Sequence, residues 1–342
     1  MPVPSSGQIR ISDLVAEFGG DAPHALSEYY RGGARVPSNN TNIPTSGQFR
    51  MSNGYGAVNE IAIAATSGTN VDLSSLFGGN WTSTVPKRLT IGSGVTIGGT
   101  GSSAAIIIPS NMAGTLEIDN AGDIIGFGGA ANGGAGGNAI SNSASGVTIN
   151  NTGLLAGGGG GGGSGGTGGG GSYTNTTINY QYSQNQPLYL WQHYWEQGSS
   201  RGHWNGTQVF YRGSSNSSPY LGYYKGSFQG STSSTERYKI GKASSSTVNT
   251  NGGGGGSGGV GQGYNQTNTS GASGAAGGTN AGTGGTGATG AAYGTAGSTG
   301  ATGANGNRTN GSGGSSGGAA GAAVTGTSVS MNNTGTLYGA VA

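Results

Sequence analysis

Aromatic side chains concentrate in one part of the sequence, residues 173–240, which hold 15 of the 26 aromatic residues. Rings separated by Asn, Gln, Ser and Gly are typical of recognition surfaces, because a rigid amphipathic ring offers a large contact area and small polar groups supply adaptable hydrogen bonds. Such rings stack on sugars and also dock against protein loops. Aliphatic residues are scarce here, so we expect about half of the rings to form a local core and the others to be exposed.

The candidate binding residues are rings flanked by Gly, Asn or Ser, together with cations close to them in sequence. The rings are Trp204, Tyr220, Tyr223 and Tyr224, and the cations are Arg201, Arg212 and Lys225. Such cations could pair with phosphate or carboxylate groups of a surface polymer, although single exposed cations more often serve only solubility. Alternating apolar and polar residues over 188–195 and 208–212 predict strands of hairpins.

Residues that usually carry catalysis or bind metals are few. His193 and His203 lie ten residues apart and could share a metal, but we expect hydrogen-bonded structural histidines, and we predict no metal and no cofactor. Glycoside hydrolysis needs two carboxylates about 5–9.5 Å apart. The aromatic region offers only Glu196 and Glu236, and nothing in their spacing brings them together. We therefore predict no enzymatic activity and no catalytic residue, with a glycan depolymerase kept as an alternative.

The composition excludes several classes of protein. Glycine accounts for 80 of the 342 residues, charged residues make up 7%, and cysteine is absent. Disulfides and thiolate metal sites are therefore excluded. A net charge of +2 without any Lys/Arg run argues against nucleic-acid binding. The longest strongly apolar stretches, residues 61–65 and 104–108, are far too short to span a bilayer, and the N-terminus carries no apolar signal segment.

Three segments share a strand-like pattern that begins at Leu116, Val147 and Val329. Each has apolar residues at its first, third and ninth places, Asn at the fifth, and Gly at the seventh. Such alternation places the apolar residues on one face of a strand, and we expect Asn-x-Gly to form a corner through positive φ. The 31-residue step between the first two copies predicts coils of a β-solenoid. The third copy lies 182 residues after the second, so we interpret the intervening chain as an excursion.

Acidic residues also occur within the first copy of this pattern. Glu117, Asp119 and Asp123 could bind a cation or line a groove, and simple exposure is the more ordinary role for such residues.

Two glycine-rich tracts lie within the excursion. Residues 157–171 contain 13 glycines, and residues 252–321 contain 29 glycines with only three large apolar side chains. Glycine recurs every third residue from 284 to 290 and again from 294 to 306. A helix with three residues per turn places such glycines along one edge, where backbones can approach and exchange hydrogen bonds. A collagen triple helix is disfavoured because the tract lacks proline, and a flexible linker is the alternative.

The N-terminus contains a repeat of another kind. Residues 3–12, VPSSGQIRIS, return as residues 43–52, IPTSGQFRMS. Both copies predict a turn followed by a short strand, and a helix is expected from Asp13 to Phe18. The string ISDLVAEFGG, with APHALSEYYRGG and IPTSGQFRMS after it, resembles a module of tailed-bacteriophage structural proteins over residues 1–56. This resemblance implies a module that anchors the chain to the virus particle.

The run VTINNTGLLAGGGGGGGSGGTGGGG, residues 147–171, resembles the glycine-rich domains of phage tail-fibre and tail-tip proteins. Among these are receptor-recognising adhesins in which glycine-rich stretches form a polyglycine-II sandwich and the intervening loops bind the host surface. The resemblance covers about residues 85–171 and 251–342. It implies a receptor-binding adhesin on the virion. A non-binding tail-tip, baseplate or head-decoration component is the alternative.

The sequence therefore predicts a mostly β protein with a small N-terminal α+β anchoring module, β-solenoid-like strands and a polyglycine-II bundle that carries an aromatic-rich insert. The predicted partners are other virion proteins, bound through residues 1–56, and a host surface protein or polysaccharide. We also predict a homo-oligomer, a trimer being one such form. We predict neither nucleic-acid binding nor membrane insertion. The predicted divisions are an anchoring module at 1–56, a solenoid-like region at 57–156, a glycine tract at 157–172, the aromatic insert at 173–250, the polyglycine-II region at 251–327 and a closing strand at 328–342.

Overall fold

The structure is a computed structural model that describes residues 3–180, 182–183, 186–187, 189–191, 201–204, 209–212, 223–232 and 235–342; from 178 to 244 it describes only the backbone. Its α-helices are α1 (Ile11–Phe18) and α2 (Leu73–Phe77), and its 3-10 helices are Leu26–Tyr29, Met51–Gly54 and Gly78–Thr82. The strands in chain order are β1 (Ile61–Ala64), β2 (Gly68–Thr69), β3 (Val71–Asp72), β4 (Lys87–Ile91), β5 (Thr96–Gly98), β6 (Ile106–Ile108), β7 (Leu116–Asn120), β8 (Asp123–Ile125), β9 (Ile140–Asn142), β10 (Val147–Asn151), β11 (Leu154–Ala156), β12 (Gly171–Tyr180), β13 (Tyr182–Ser183), β14 (Gln186–Pro187), β15 (Tyr189–Trp191), β16 (Arg201–Trp204), β17 (Val209–Arg212), β18 (Tyr223–Thr232), β19 (Thr235–Thr250), β20 (Val324–Gly326), β21 (Ser330–Asn333) and β22 (Thr336–Tyr338).

Three parallel sheets surround the main hydrophobic core. Their strand orders are β1-β4-β7-β10-β21, β2-β5-β8-β11-β22 and β3-β6-β9-β20. The chain adds one strand to each sheet in turn and then returns to the first sheet one place further along. The protein is thus mostly strand with few helices, as the sequence predicted.

The three predicted copies of the strand pattern lie side by side in register. Ile118 pairs with Ile149, and Ile149 pairs with Met331. Burial alternates along β7 and β10, as the alternating sequence predicted. Because the side-chain period of a strand is two residues, this register directs every apolar position of the pattern into the shared core.

The predicted role of the Asn-x-Gly corner is wrong in its physical cause. Neither the Asn nor the Gly of this motif has positive φ. Instead, Asn120 donates to Asn151 at 2.7 Å and Asn151 donates to Asn333 at 2.7 Å, which forms a ladder of stacked amides at the edge of the core. The glycine is required by space, because a Cβ on Gly153 would lie 2.1 Å from the carbonyl oxygen of Gly122.

The first turn of the sheets is closed by α2 and the 3-10 helix that follows it. The Asp72 carboxylate accepts from the Ser74 and Ser75 amides and so caps α2. Phe77 and Trp81 are buried in the core, and the Trp81 indole donates to Asn111 at 2.8 Å. Because α2 lies against β3 and β6, these rings cover the end of the core beside the first strands of that sheet.

Residues 157–323 leave the three sheets after β11, and the chain returns at β20, which pairs with β9. Every backbone N–H from Gly157 to Gly170 donates a hydrogen bond at 2.7 to 2.9 Å. Successive residues of this tract donate to different neighbouring segments, and the same segment accepts again three residues later. Gly159, Gly162, Gly165 and Gly168, for example, donate to Gln262, Gly259, Gly256 and Gly253.

The central tract, residues 157–171, is surrounded by six described segments. In order around the tract they are 126–130, 251–263, 280–292, 294–306, 309–322 and 133–138, and each is hydrogen-bonded to the next and to the tract. Residues 266–277 lie outside this ring against 251–263 and 280–292. The break in the glycine period between 290 and 294 is the turn at which one segment ends and the next reverses, with Gly294 at φ +61°.

Close packing explains where the central tract must be glycine. A Cβ on Gly161 would lie 1.8 Å from the carbonyl oxygen of Ala130, and one on Gly158 would lie 1.7 Å from that of Phe127. The segment 126–130 ends at this level, and the next positions of the same phase are Ser164 and Thr167. Ser164 and Thr167 can carry side chains because the segment 126–130 no longer lies against the tract at those positions.

The N-terminal module has a separate small core that includes Leu14, Phe18, Tyr29 and Ile43. The predicted α+β character is wrong for this module, since its described residues, 3–57, form helices and a single isolated bridge, without a strand. Both repeats enter a helix because the Arg10 amide donates to Asp13 and the Arg50 amide donates to Asn53 in the same way.

Candidate functional site

The aromatic insert leaves the glycine-rich bundle at the end that points away from the three sheets. Its two sides, β12 and β19, form an antiparallel ribbon from Gly171 opposite Thr250 to Tyr180 opposite Gly241. Ten paired residues make a ribbon roughly 30 Å long. The remaining strands of the insert are therefore attached to the scaffold through this ribbon.

The base of the ribbon is held by the two turns at the same end of the bundle. The Ser172 N–H donates to Asn307 Oδ1 at 2.8 Å, and the Ser172 carbonyl accepts from Asn307 Nδ2 at 2.9 Å and from Asn280 Nδ2 at 3.0 Å. The Asn307 N–H donates to the Asn280 carbonyl at 3.0 Å, which links the two turns. We call Ser172, Asn280 and Asn307 the tip clamp.

Both strands of the ribbon are fixed in this region. On β19, the Thr250 hydroxyl donates to the Thr279 carbonyl at 2.6 Å. Beside β12, the Arg308 Nε donates to the Gly171 carbonyl at 3.4 Å. A Cβ on Gly171 would lie 2.4 Å from the Ala281 nitrogen, so the turn packs directly against the strand.

The predicted binding residues occupy two places among the strands beyond the ribbon. Arg201 and Trp204 begin and end β16, and Arg201 pairs with Arg212 across β16 and β17. Tyr223, Tyr224 and Lys225 begin β18, opposite residues 242, 241 and 240 of β19. Tyr220, Glu196 and His193 lie outside the described residues, and the side chains of the other predicted binding residues lie outside the described part as well. Of the predicted strand stretches 188–195 and 208–212, residues 189–191 and 209–212 form strands, and residues 188, 192–195 and 208 lie outside the described residues. Residues 209–212 pair with 201–204, and residues 189–191 pair with 237–239 of β19.

Two side chains at the tip were missed by the sequence reasoning. Tyr173 is 37% exposed on β12, and Arg308 is exposed against Gly170 and Gly171. A signal was available for Arg308, because it is the only charged residue in the sequence after Lys242. Tyr173 is the first aromatic residue of the insert, two residues after the glycine tract ends.

The acidic residues of β7 hold an arginine. Arg88 contacts Glu117 at 2.7 Å, Asp119 at 2.6 Å and Glu60 at 3.1 Å. Burial acts to raise the pKa of Asp119, but hydrogen bonds from Asn150 and Arg88 outweigh it and leave that pKa below its ordinary value. The hydrogen bonds that Arg88 donates to Glu60 and Asp119 raise the pKa of its guanidinium. Glu117 and Asp119 are thus part of an ion-pair network on the outer face of the sheet.

Among the described residues there is neither a metal-binding group nor a membrane span. Within these ranges no three His, Asp or Glu side chains converge as metal ligands. None of the helices in the described chain has the length and apolarity needed to cross a bilayer.

The described chain thus combines three parallel sheets, a glycine-rich bundle held by backbone hydrogen bonds, and an insert joined to that bundle by a two-stranded ribbon. A model of the family "phage tail fibre adhesin Gp38" matches residues 59–237, just over half of the chain. The chain belongs to this family. It is therefore a receptor-binding tail fibre protein, and it is located on the virion tail.

Comparison with solved structures gives one relevant similarity. The crystal structure of the gp37–gp38 adhesin tip complex of the bacteriophage S16 long tail fibre matches over 97% of each chain, with 18% sequence identity and a TM-score of 0.39. No curated protein matches the chain.

Proposed function

We propose that this tail fibre adhesin binds its host receptor with the insert 173–250, which is presented at the end of a rigid glycine-rich bundle. The observation that carries the proposal is the ribbon β12–β19, which leaves the bundle end opposite the sheets with both strands hydrogen-bonded to the neighbouring turns. The aromatic residues beyond the ribbon are the contact surface, with Trp204, Tyr220, Tyr223 and Tyr224 as its rings.

The stalk in this proposal combines a β-solenoid, residues 57–156 with 328–342, and a polyglycine-II bundle, residues 157–172 and 251–327. The three-residue recurrence of hydrogen-bond partners supports polyglycine II, whose helix has three residues per turn. Backbone bonds replace apolar contacts as the source of order, at roughly 0.5–1.5 kcal/mol net for each bond. The rotation of the chain through three parallel sheets supports the solenoid.

The cations of the insert give the contact surface a preference for anionic groups. Arg201 and Arg212 are paired in the backbone register of β16 and β17, and Lys225 lies near the start of β18. Cations of these types bind phosphate or carboxylate groups of a host polysaccharide, or acidic side chains of a host protein.

Residues 1–56 are the attachment module in this proposal, and their partners are other virion proteins. Support comes from the separate core of the module, which is distinct from the core of the sheets. Its junction with the sheets is nevertheless fixed by two hydrogen bonds, both at 2.7 Å. The Asn39 side chain donates to the Glu60 carbonyl, and the Asn59 backbone N–H donates to the Glu17 carboxylate. In this proposal the attached form is a homo-oligomer, a trimer being one such form.

Binding of fluorescently labelled protein to bacterial cells tests the proposal. On the cells that bind the wild type, Trp204→Ala and the double variant Tyr223→Ala/Tyr224→Ala should each reduce affinity about tenfold or more, as loss of a central aromatic contact does. Tyr338→Ala, which removes an exposed ring on β22, is the matched control and should bind normally. Equal binding by the insert variants and the control would refute the proposal. Purified host polysaccharide incubated with the protein should remain uncleaved, whether or not it binds. Release of fragments would contradict the non-enzymatic role.

A further inference from the structure

We infer that Asn307 and Asn280, which lie outside the insert, are positioning residues for receptor binding, because the tip clamp sets the direction in which the ribbon points. This inference rests on the proposed function of the insert. It concerns two residues of the bundle turns that the binding surface itself does not include.

The geometry of Asn307 imitates a neighbouring strand. Its side-chain oxygen accepts from the Ser172 N–H and its side-chain nitrogen donates to the Ser172 carbonyl. These are the acceptor and the donor that a residue paired with Ser172 on an adjacent strand would supply. One amide side chain therefore extends the two-stranded ribbon sideways at its base and joins it to the bundle.

Asn280 attaches β12 to a second turn of the bundle, in addition to the turn that contains Asn307. It donates to the same Ser172 carbonyl, and its own carbonyl accepts from the Asn307 N–H, so the turns near residues 280 and 307 are fixed to each other and to β12. Asn280 has a φ of +59°, a left-handed conformation that Asn tolerates better than most residues. The backbone at this turn thus favours the same residue type that the hydrogen bond requires.

The length of the ribbon makes its direction important. A swing of about 10° at the base of a ribbon roughly 30 Å long moves its far end by about 5 Å. A displacement of that size carries the strands β15 to β18 away from a receptor surface already engaged by other copies in a fibre. Loss of the clamp should therefore reduce the fraction of molecules whose insert is correctly oriented.

Distance measurement between two spin labels tests the clamp without a receptor. The sequence has no cysteine, so Asn179→Cys near the end of the ribbon and Thr302→Cys on the bundle give two unique labelling sites. We expect a narrow distance distribution in this background. Adding Asn307→Ala and Asn280→Ala should broaden the distance distribution by about 5 Å. Asn310→Ala, which changes an exposed Asn just after the same turn that makes no side-chain hydrogen bond within the described chain, should leave the distribution unchanged.

Cell binding by the same variants, without the labels, tests positioning. The double variant should lose about tenfold in affinity if its ribbon is correctly oriented a tenth of the time. Asn307→Asp keeps the acceptor for the Ser172 N–H and loses the donor to the Ser172 carbonyl. Its affinity for cells should therefore lie between the affinities of the wild type and of Asn307→Ala. Amide exchange across residues 157–170 should remain slow in every variant, which separates loss of direction from loss of folding.

The outcomes divide cleanly. Broadening together with weaker binding supports the inference. An unchanged distance distribution shows that the clamp does not hold the ribbon, and broadening with unchanged binding shows that direction does not matter for recognition; either result overturns it. If Trp204→Ala leaves binding intact, the proposed function fails, while the distance measurement still decides whether the clamp exists.

Discussion

Replacing Gly161 with alanine should destabilise the bundle, whereas replacing Ser164 with alanine should not. The two residues have the same phase on the central tract, three positions apart. A Cβ at 161 would lie 1.8 Å from the Ala130 oxygen, so the segments must separate by about 1.5 Å to restore ordinary contact. Ser164 already has a side chain there, because the segment 126–130 has ended.

The magnitude follows from the hydrogen bonds at that level. Displacing Ala130 breaks the bonds that hold its segment at this level, from the Gly129 N–H to the Gly159 carbonyl at 2.8 Å and from the Gly134 N–H to the Ala130 carbonyl at 2.9 Å. At roughly 1–3 kcal/mol for each buried group left unpaired, Gly161→Ala should cost about 2–6 kcal/mol. The lower entropy of an unfolded chain with alanine returns only about 0.4–1 kcal/mol.

Chemical denaturation with circular dichroism or tyrosine fluorescence measures the difference. Ser164→Ala loses one exposed hydroxyl contact with Ser315 at 2.9 Å and should change the free energy of unfolding by less than about 1 kcal/mol. Equal stability of the Gly161→Ala and Ser164→Ala proteins would refute the claim that close backbone packing determines where glycine is needed.

Other substitutions test the sheets. Asn151→Ala breaks the buried amide ladder and should lower the free energy of unfolding by about 2–4 kcal/mol, whereas Asn332→Ala on the outer face should cost less than about 1 kcal/mol; similar losses in thermal or urea unfolding would show that the ladder has no special role. Asp119 has a lowered pKa in the folded chain, so its contribution to stability is present above the unfolded value near roughly 3.9 and is lost as the pH falls through the folded value. Asp119→Asn should therefore be less stable than the wild type at neutral pH and equal to it in strong acid, and a difference that does not depend on pH would contradict this assignment.

Much of the sheet structure could be predicted because the relevant pattern is short and repeated. Apolar residues at the first, third and ninth places of each copy indicate the strands and their inward faces, and the copies do pair in register. The corner was misjudged because Asn and Gly favour positive φ as isolated residues. In the stacked sheets the same residues serve an amide ladder and a close backbone approach, which only neighbouring strands reveal.

The N-terminal strands were wrongly predicted for a related reason. Ile9 and Ile11 alternate like a strand, but Ile11, Leu14, Val15 and Phe18 follow the spacing of a helix, and the helix forms with Asp13 bound to the Arg10 amide. The helix predicted from Asp13 to Phe18 is present and begins two residues earlier, at Ile11, which leaves no room for the predicted strand.

The tip clamp could not be predicted from the sequence. Asn280, Asn307 and Ser172 are separated by up to 135 residues, and Asn is common throughout the glycine-rich region. Only the alignment of three segments at one end of the bundle brings them together. The glycine period indicated that backbones pack closely, but it did not indicate which segments are neighbours.

The most direct test of the account is residue-specific amide hydrogen exchange across the central tract of the intact protein. Backbone bonding throughout the bundle predicts slow exchange from Gly157 to Gly170, with protection comparable to that of β7 and β10. Fast exchange over these residues, in a protein whose β strands remain protected, would contradict the claim that hydrogen bonds between backbones make the stalk of this adhesin rigid.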